Sequence, residues 1–247
     1  MKYYLMIAAL SLLMACGGVK PQTELAWKTD SLQRASDSTL LVHLVYPVLT
    51  DSSALADSVN QTVEKVLQSS FEGLDSLQGD YTLMQRIDSI QQQKNSDEIT
   101  RKIPYTFISN GSVYRYGDVV SVWLERYLFT GGAHGMTFSE FYNFDYNNGK
   151  RLTVAEIFDD TTKLSQLNRD AFGKFLTEQG ITDVDQALFV SPDQLPLPKN
   201  VGFDSTGVVM RYNQYEIAPY AMGILSYSLP YDQVKSLLPS QKYVQKK

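Results

Sequence analysis

The pattern of apolar and polar positions first predicts a strand near residue 40. Residues 40–46 (LLVHLVY) are apolar on both alternating sides except at His43, which predicts a strand buried on both faces. Pro47 has no backbone N–H to donate to a neighbouring strand, so we expect the strand to end there. His43 is expected at the edge of the core.

Two helices are predicted after this strand. Apolar side chains recur at steps of three and four over residues 53–70, namely at Leu55, Val59, Val63, Val66 and Leu67. The polar residues 51–53 can cap the start of this helix. Residues 81–94 carry a weaker helical pattern and precede a polar loop.

The middle of the chain favours strands joined by tight turns. The predicted strands cover residues 105–109, 113–116, 119–129 and 136–146. Asn110-Gly111 is a common hairpin dipeptide and predicts a turn between the first two strands. In the last strand the even positions are apolar or aromatic apart from Glu140, and the odd ones are mostly polar. We therefore expect one face on a core and the other facing water or a partner.

The C-terminal part returns to helices and then to closing strands. Its predicted elements are a turn at 148–149, a capping box of Thr153 and Glu156, a helix over 162–179 ended by Gly180, an irregular loop over 191–200, strands over 207–212 and 224–229, and a terminal helix over 231–238. Helices and strands grouped in blocks predict an α+β fold. We expect helices to cover an antiparallel sheet and the chain to form two small subdomains.

The first residues, MKYYLMIAALSLLMAC, are typical of an export signal. Their apolar run is too short to span a membrane, which takes about 20 residues, and it suits a signal peptide over residues 1–15. Leu13-Met14-Ala15-Cys16 resembles the bacterial lipobox, in which Cys16 would carry the lipid; the alternative is an ordinary signal with a chance cysteine. We expect a membrane-anchored lipoprotein of the bacterial cell envelope, facing the periplasm because GGVKPQ after Cys16 has no acidic run.

Charge and cysteine content narrow the function classes. Without residues 1–15 the chain keeps 21 basic and 27 acidic side chains, a net charge of −6. This balance argues against nucleic acid as a partner and mildly favours a cationic one. Cys16 is the only cysteine, so we expect no disulfide and no thiol nucleophile.

His134 lies in the glycine-rich segment TGGAHG, residues 130–135, which we interpret as a turn. The segment lacks the lysine and hydroxyl of a phosphate-binding loop. The two histidines, His43 and His134, are not at metal-ligand spacing. Residues 145–156 carry acids at two EF-hand positions but have Lys150 where the loop needs glycine. The sequence has no G-x-S-x-G motif, and we predict no catalytic residue, metal or cofactor.

Three segments resemble a known family. They are TGGAHG at 130–135, FYNFDYNNGKRLTVAEIF at 141–158 and YEIAPYAMGILSYSLPY at 215–231. Together they resemble the extracytoplasmic domain of unknown function, DUF3298, of RsiV-type anti-sigma factors, which also occurs beside peptidoglycan deacetylase domains. Residues 39–67 resemble the smaller DUF4163-like domain that usually precedes it. With this resemblance the chain divides into a signal peptide (1–15), a lipidated tether (16–37), an N-terminal α/β region (38–100) and a C-terminal α+β domain (101–247).

In the anti-sigma branch of this family the domain binds lysozyme, a cationic cell-wall hydrolase. This sequence shows no sigma-binding segment and no deacetylase domain, so the resemblance implies a non-catalytic, lipid-anchored binding module for lysozyme or a peptidoglycan component. The expected ligand-binding residues are His134 in the glycine-rich segment and Tyr215, Glu216 and Tyr220 in the YEIAPY segment, and either segment could form the surface. The alternatives are a hydrolase of peptidoglycan or glycans and a purely structural envelope lipoprotein.

Overall fold

The computed structural model describes residues 25–36, 39–75, 77–99, 102–181 and 183–238. The predicted signal peptide, the lipidation site Cys16 and the first part of the predicted tether lie outside these residues. Within the described ranges, no helix has the length and apolar character needed to cross a bilayer.

The described chain forms two β-sheets and several helices. The strands are β1 (Trp27–Ser36), β2 (Leu40–Leu49), β3 (Tyr105–Tyr116), β4 (Val119–Phe129), β5 (Met136–Asp145), β6 (Arg151–Leu152), β7 (Asn200–Phe203), β8 (Gly207–Tyr212) and β9 (Leu225–Pro230). The helices are α1 (Ala54–Ser69), α2 (Leu83–Ser96), α3 (Val154–Ile157), α4 (Thr161–Glu178), α5 (Val184–Ala187) and α6 (Tyr231–Val234), with short 3-10 turns at Pro192–Gln194 and Tyr220–Met222. The predicted α+β class is confirmed.

The first sheet has six strands in the order β1-β2-β3-β4-β5-β6, and α1 and α2 cover one of its faces. All neighbours are antiparallel except β2 and β3, which are parallel because the two helices form the crossover between them. The apolar steps of α1 point into this core, where Val59 and Val63 are almost fully buried. Ser53 caps α1, and Thr82 and Gln85 form a capping box at α2.

The start of this sheet departs from the sequence prediction. Residues 27–36, which were assigned to the tether, form the edge strand β1 and pair with β2 along its length. The predicted stop at Pro47 is wrong because β2 continues to Leu49. The pairing of β2 with β3 covers only residues 40–44. Pro47 lies beyond these residues, so it interrupts no hydrogen bonds between β2 and β3.

The prediction that both faces of β2 are buried is also wrong. Its side chains alternate between buried and exposed from Leu40 to Leu44, and His43 is exposed instead of lying at the core edge. Leu41 and Ile108 are each 40% exposed on the same open face. Helices α1 and α2 cover the opposite face of the first sheet. The second sheet covers only part of the face that carries Leu41 and Ile108.

The predicted hairpin at Asn110-Gly111 is wrong because both residues lie inside the continuous strand β3. β3 pairs with β4 over its whole length. A Cβ atom at Gly111 would come within 2.8 Å of side-chain atoms of Pro47 and Leu124 and of the carbonyl oxygen of Trp123. The glycine is therefore needed for close packing within the sheet.

The second sheet, β7-β8-β9, packs on the face of β4 and β5 that is turned away from α1. Polar groups join the sheets: the Asn143 amide donates to the carbonyl oxygen of Val201 at 2.7 Å, and Ser121 Oγ accepts the N–H of Phe203 at 2.9 Å and also bonds Asn143. The polar face predicted to meet water is thus partly buried between the sheets, while Phe138 on the other face is 37% exposed.

Helix α4 covers the second sheet through a buried polar group. Asn168 is fully buried, donates to the Tyr212 hydroxyl at 2.8 Å and accepts from the Tyr227 hydroxyl at 2.7 Å. Burial raises the pKa of Tyr227 and the pKa of Tyr212, so both hydroxyls stay protonated and can donate.

One further prediction needs correction in this half. The terminal helix is short and ends at Val234 instead of residue 238. The boundary placed between residues 100 and 101 separates β2 from β3, which pair in one sheet.

Candidate functional site

Two distant loops meet on one surface of the molecule. The glycine-rich segment 130–135 connects β4 to β5, and residues 213–224 connect β8 to β9. They bring together three of the predicted ligand-binding residues, His134, Tyr215 and Tyr220, which we call the aromatic surface. The two segments that sequence reasoning left as alternatives therefore contact each other.

The ring of His134 stacks on the ring of Tyr220, with centroids 3.8 Å apart and planes inclined by 23°. The Tyr220 hydroxyl donates to the carbonyl oxygen of Gly135 at 3.0 Å, and His134 Nδ1 lies 3.0 Å from the same oxygen. A Cβ at Gly135 would lie 2.5 Å from the outer ring atoms of Tyr127, so a larger residue would force that ring to move. The loop is a turn, and its histidine sits at an exposed rim.

Tyr215 is held in an unusual backbone conformation. Its φ is 65°, and it is the only residue other than glycine with positive φ among the described residues. It occupies the third position of a turn closed by a hydrogen bond from the Glu216 N–H to the carbonyl oxygen of Asn213 at 3.0 Å. Glycine or asparagine normally fills such a position. Tyr215 is nevertheless 50% exposed, with its ring centroid 5.8 Å from that of Tyr220.

Glu216 is close to the aromatic surface, but its carboxylate supports the turn. One oxygen accepts the N–H of Asn213 at 3.0 Å, and the other accepts the N–H of Lys199 at 3.3 Å. These bonds leave it less available to a partner than the sequence suggested. Glu216 nevertheless directly follows Tyr215 in the chain.

Asn213 and Gln214 attach the turn to the first sheet. Asn213 Oδ1 accepts the N–H of Ser139 at 2.8 Å, and Gln214 Oε1 accepts the N–H of Thr137 at 3.0 Å. β6 pairs only with the C-terminal end of β5. The side chains of Asn213 and Gln214 therefore take the place of a neighbouring strand along the N-terminal end of β5. Sequence reasoning missed both residues, since their role depends on contacts more than 70 positions away.

The acids of the EF-hand-like stretch are engaged by the protein itself. Asp145 accepts the N–H of Asn147 at 2.9 Å, and Glu156 bonds Lys150 Nζ at 2.6 Å. The bond from Lys150 and those from the N–H and hydroxyl of Thr153 lower the pKa of Glu156 to about 2. Within the described ranges, no three His, Cys, Asp or Glu side chains are grouped as metal ligands would be.

The sequence matches two families. The model of the family described as a protein of unknown function, DUF3298, matches residues 155–232, and the one described as Deacetylase PdaC matches residues 34–137. No curated protein matches the chain.

Two solved structures share the fold. A DUF3298 family protein from Pseudomonas aeruginosa PAO1 is 17% identical, with a TM-score of 0.66 over 91% of this chain and 98% of that one. A member of the same family from Bacteroides fragilis NCTC 9343 is 21% identical, with a TM-score of 0.55 over 87% of this chain and 95% of that one. At these identities the likeness concerns the fold alone.

Proposed function

We propose that this chain is a non-catalytic binding module of the bacterial cell envelope, because the DUF3298 family model matches residues 155–232, within the region where the sequence resembled that domain. In this proposal a lipid on Cys16 holds the protein at the membrane on its periplasmic side. The aromatic surface binds a cationic cell-wall hydrolase such as lysozyme. A peptidoglycan component is the alternative ligand at the same surface.

The observation that carries the proposal is the strained and exposed Tyr215. A non-glycine residue in the left-handed region costs about 1–3 kcal/mol, and such residues cluster at functional sites. In this conformation the ring of Tyr215 is half exposed to solvent and lies beside the stacked rings of Tyr220 and His134. Tyrosine is enriched among the residues that dominate binding energy at interfaces. The ring contact with Tyr220 offsets only part of this strain.

Charge supports a cationic partner. The chain without residues 1–15 carries a net charge of −6, which attracts a positively charged protein and increases its association rate. Glu216 adds a negative charge one residue from Tyr215, although its oxygens accept backbone N–H groups. Binding of this kind weakens as salt screens the charges.

Calorimetric titration tests the proposal. The fragment from Thr23 onward, which retains every described residue, would be titrated with a cationic lysozyme at low and high salt while lysozyme activity is followed in parallel. We expect saturable binding that weakens with salt and reduces the activity. Tyr220→Ala should weaken binding, whereas Trp27→Ala, which removes an exposed aromatic from the edge strand β1, should not.

The other outcomes separate the alternatives. Binding to purified peptidoglycan but not to lysozyme would show that the ligand is a peptidoglycan component. Release of acetate or of new reducing ends from peptidoglycan by the fragment would contradict a non-catalytic role. Absence of binding to either ligand would leave a structural lipoprotein.

A further inference from the structure

A cleft of about 370 Å³ lies between the two sheets, apart from the aromatic surface. Aromatic rings form much of its wall, and charged side chains stand among them; the lining includes Tyr114, Trp123, Phe141, Phe203, Asp204 and Arg211. Its volume is at the low end of the range for small-molecule sites, about 300–1,000 Å³. The cleft therefore suits a ligand of the size of an amino acid, a dipeptide or one sugar ring.

Arg211 is the cation of this cleft, and its guanidinium has spare hydrogen-bonding capacity. Nε donates to Ser226 Oγ at 3.1 Å, and Nη1 donates to Ser139 Oγ at 2.6 Å. Nη2 has no hydrogen-bond partner among the described residues. The guanidinium carbon lies 5.5 Å from the ring centroid of Trp123 and 5.0 Å from that of Phe141.

No carboxylate of the described chain forms an ion pair with Arg211 within 4.0 Å. Burial lowers the pKa of Arg211, and the nearby carboxylates of Glu125 and Asp204 offset only part of this effect. Oδ1 of Asp204 accepts the N–H groups of Thr206 and Gly207 at 2.7 and 3.1 Å and also the Thr206 hydroxyl. The cleft thus offers a partly desolvated cation and an acid on its wall.

Arg126 provides a contrast with Arg211 within the described residues. It is 9% exposed, pairs with Glu140 at 2.7 Å, and donates to the carbonyl oxygen of Val66 and to two serine hydroxyls at the end of α1. Its charge is neutralised by an ion pair. Arg211 has two serine hydroxyls as its hydrogen-bond partners and faces a cavity.

We propose that this cleft binds a small carboxylate-bearing molecule, with the carboxylate on Arg211 and a ring or apolar part against Trp123. The planar guanidinium matches a carboxylate, and hydrogen bonds between charged groups are the stronger ones. An amine or hydroxyl of the ligand would be directed to Asp204. Amino-acid-like and sugar-acid ligands share this chemistry, and the site does not depend on the proposed binding of lysozyme.

Trp123 provides a direct reporter for this site. The chain has two tryptophans, so Trp27→Phe leaves Trp123 as the only one. In that background the fluorescence of the fragment from Thr23 onward would be titrated with N-acetylmuramic acid and with D-alanyl-D-alanine. N-acetylglucosamine and the C-terminal amide of D-alanyl-D-alanine are the matched controls, because each resembles its acid but lacks the carboxylate.

We expect a saturable change with at least one acid and a much weaker one with its neutral counterpart, and the responding acid distinguishes a sugar acid from a peptide. Arg211→Gln should weaken that binding about 10- to 100-fold, as expected for loss of a charge-assisted hydrogen bond. Ser112→Tyr fills the cleft from the partly exposed face of β3 and should also prevent binding, which provides a second test if Arg211→Gln fails to fold. Equal responses to acids and neutral controls, or none up to about 10 mM, would overturn the proposal.

Discussion

Replacing Tyr215 separates the stability of the turn from its binding role. In Tyr215→Asn the side chain tolerates the left-handed conformation, whereas in Tyr215→Ala the backbone strain remains and only the ring is lost. The strain amounts to about 1–2 kcal/mol for an ordinary residue. The contact with the Tyr220 ring at 5.8 Å opposes it with about 0.5–1.5 kcal/mol.

These magnitudes predict different outcomes for the two variants. Tyr215→Asn should be as stable as the parent or more stable by up to about 1 kcal/mol, and Tyr215→Ala should be less stable by about 1 kcal/mol. Urea unfolding gives the free energy of each, and calorimetry gives the affinity for lysozyme, which should fall in both. Equal stability of the two variants would refute the strain argument. Unchanged affinity in both would remove Tyr215 from the binding surface.

Three other changes test the packing that positions the site. Arg126→Met should lower the free energy of unfolding by about 2–3 kcal/mol in chemical denaturation, because it leaves the carboxylate of Glu140 without its partner. Glu140 is partly exposed to water, so a loss above about 5 kcal/mol would contradict this reasoning. Asn168→Leu should cost about 1–3 kcal/mol by the same assay, because the buried Tyr227 hydroxyl loses its acceptor, and full stability would show that the bond is dispensable. NMR of the side-chain carboxyl groups should give Glu156 a pKa of about 2, lowered from 4.5. Because the pKa is lowered in the folded state, Glu156 contributes to stability above pH 4.5, and this contribution is lost as the pH falls toward 2. In Glu156→Gln that part of the pH dependence should be absent.

Local signals explain which elements could be predicted. The steps of three and four in α1 and the capping box at Thr153 and Glu156 depend on neighbours in the sequence, and the structure has both. β1 was missed because its sequence is mostly polar, as an edge strand open to solvent can be. Asn110-Gly111 was misassigned because the pairing of β3 with β4 and the packing against Pro47 outweigh the local turn preference.

Sequence reasoning could predict only part of the candidate site. Its aromatic residues could be proposed one by one, but Tyr220 and Gly135 meet across 85 positions, and no local pattern predicts that contact. The polar residues on the odd face of β5 suggested water or a partner, whereas Asn143 bonds the second sheet and Ser139 bonds Arg211. The cleft around Arg211 arises from this packing of one sheet on the other.

Hydrogen exchange in the presence of lysozyme tests the central claim most directly. Amide exchange of the fragment from Thr23 onward would be compared with and without saturating lysozyme. The proposal predicts slower exchange in both segments of the site, residues 130–135 and 213–222, with β1 at the opposite edge of the sheet unchanged. Protection confined to other parts of the molecule, or none at saturation, would contradict the aromatic surface as the binding site.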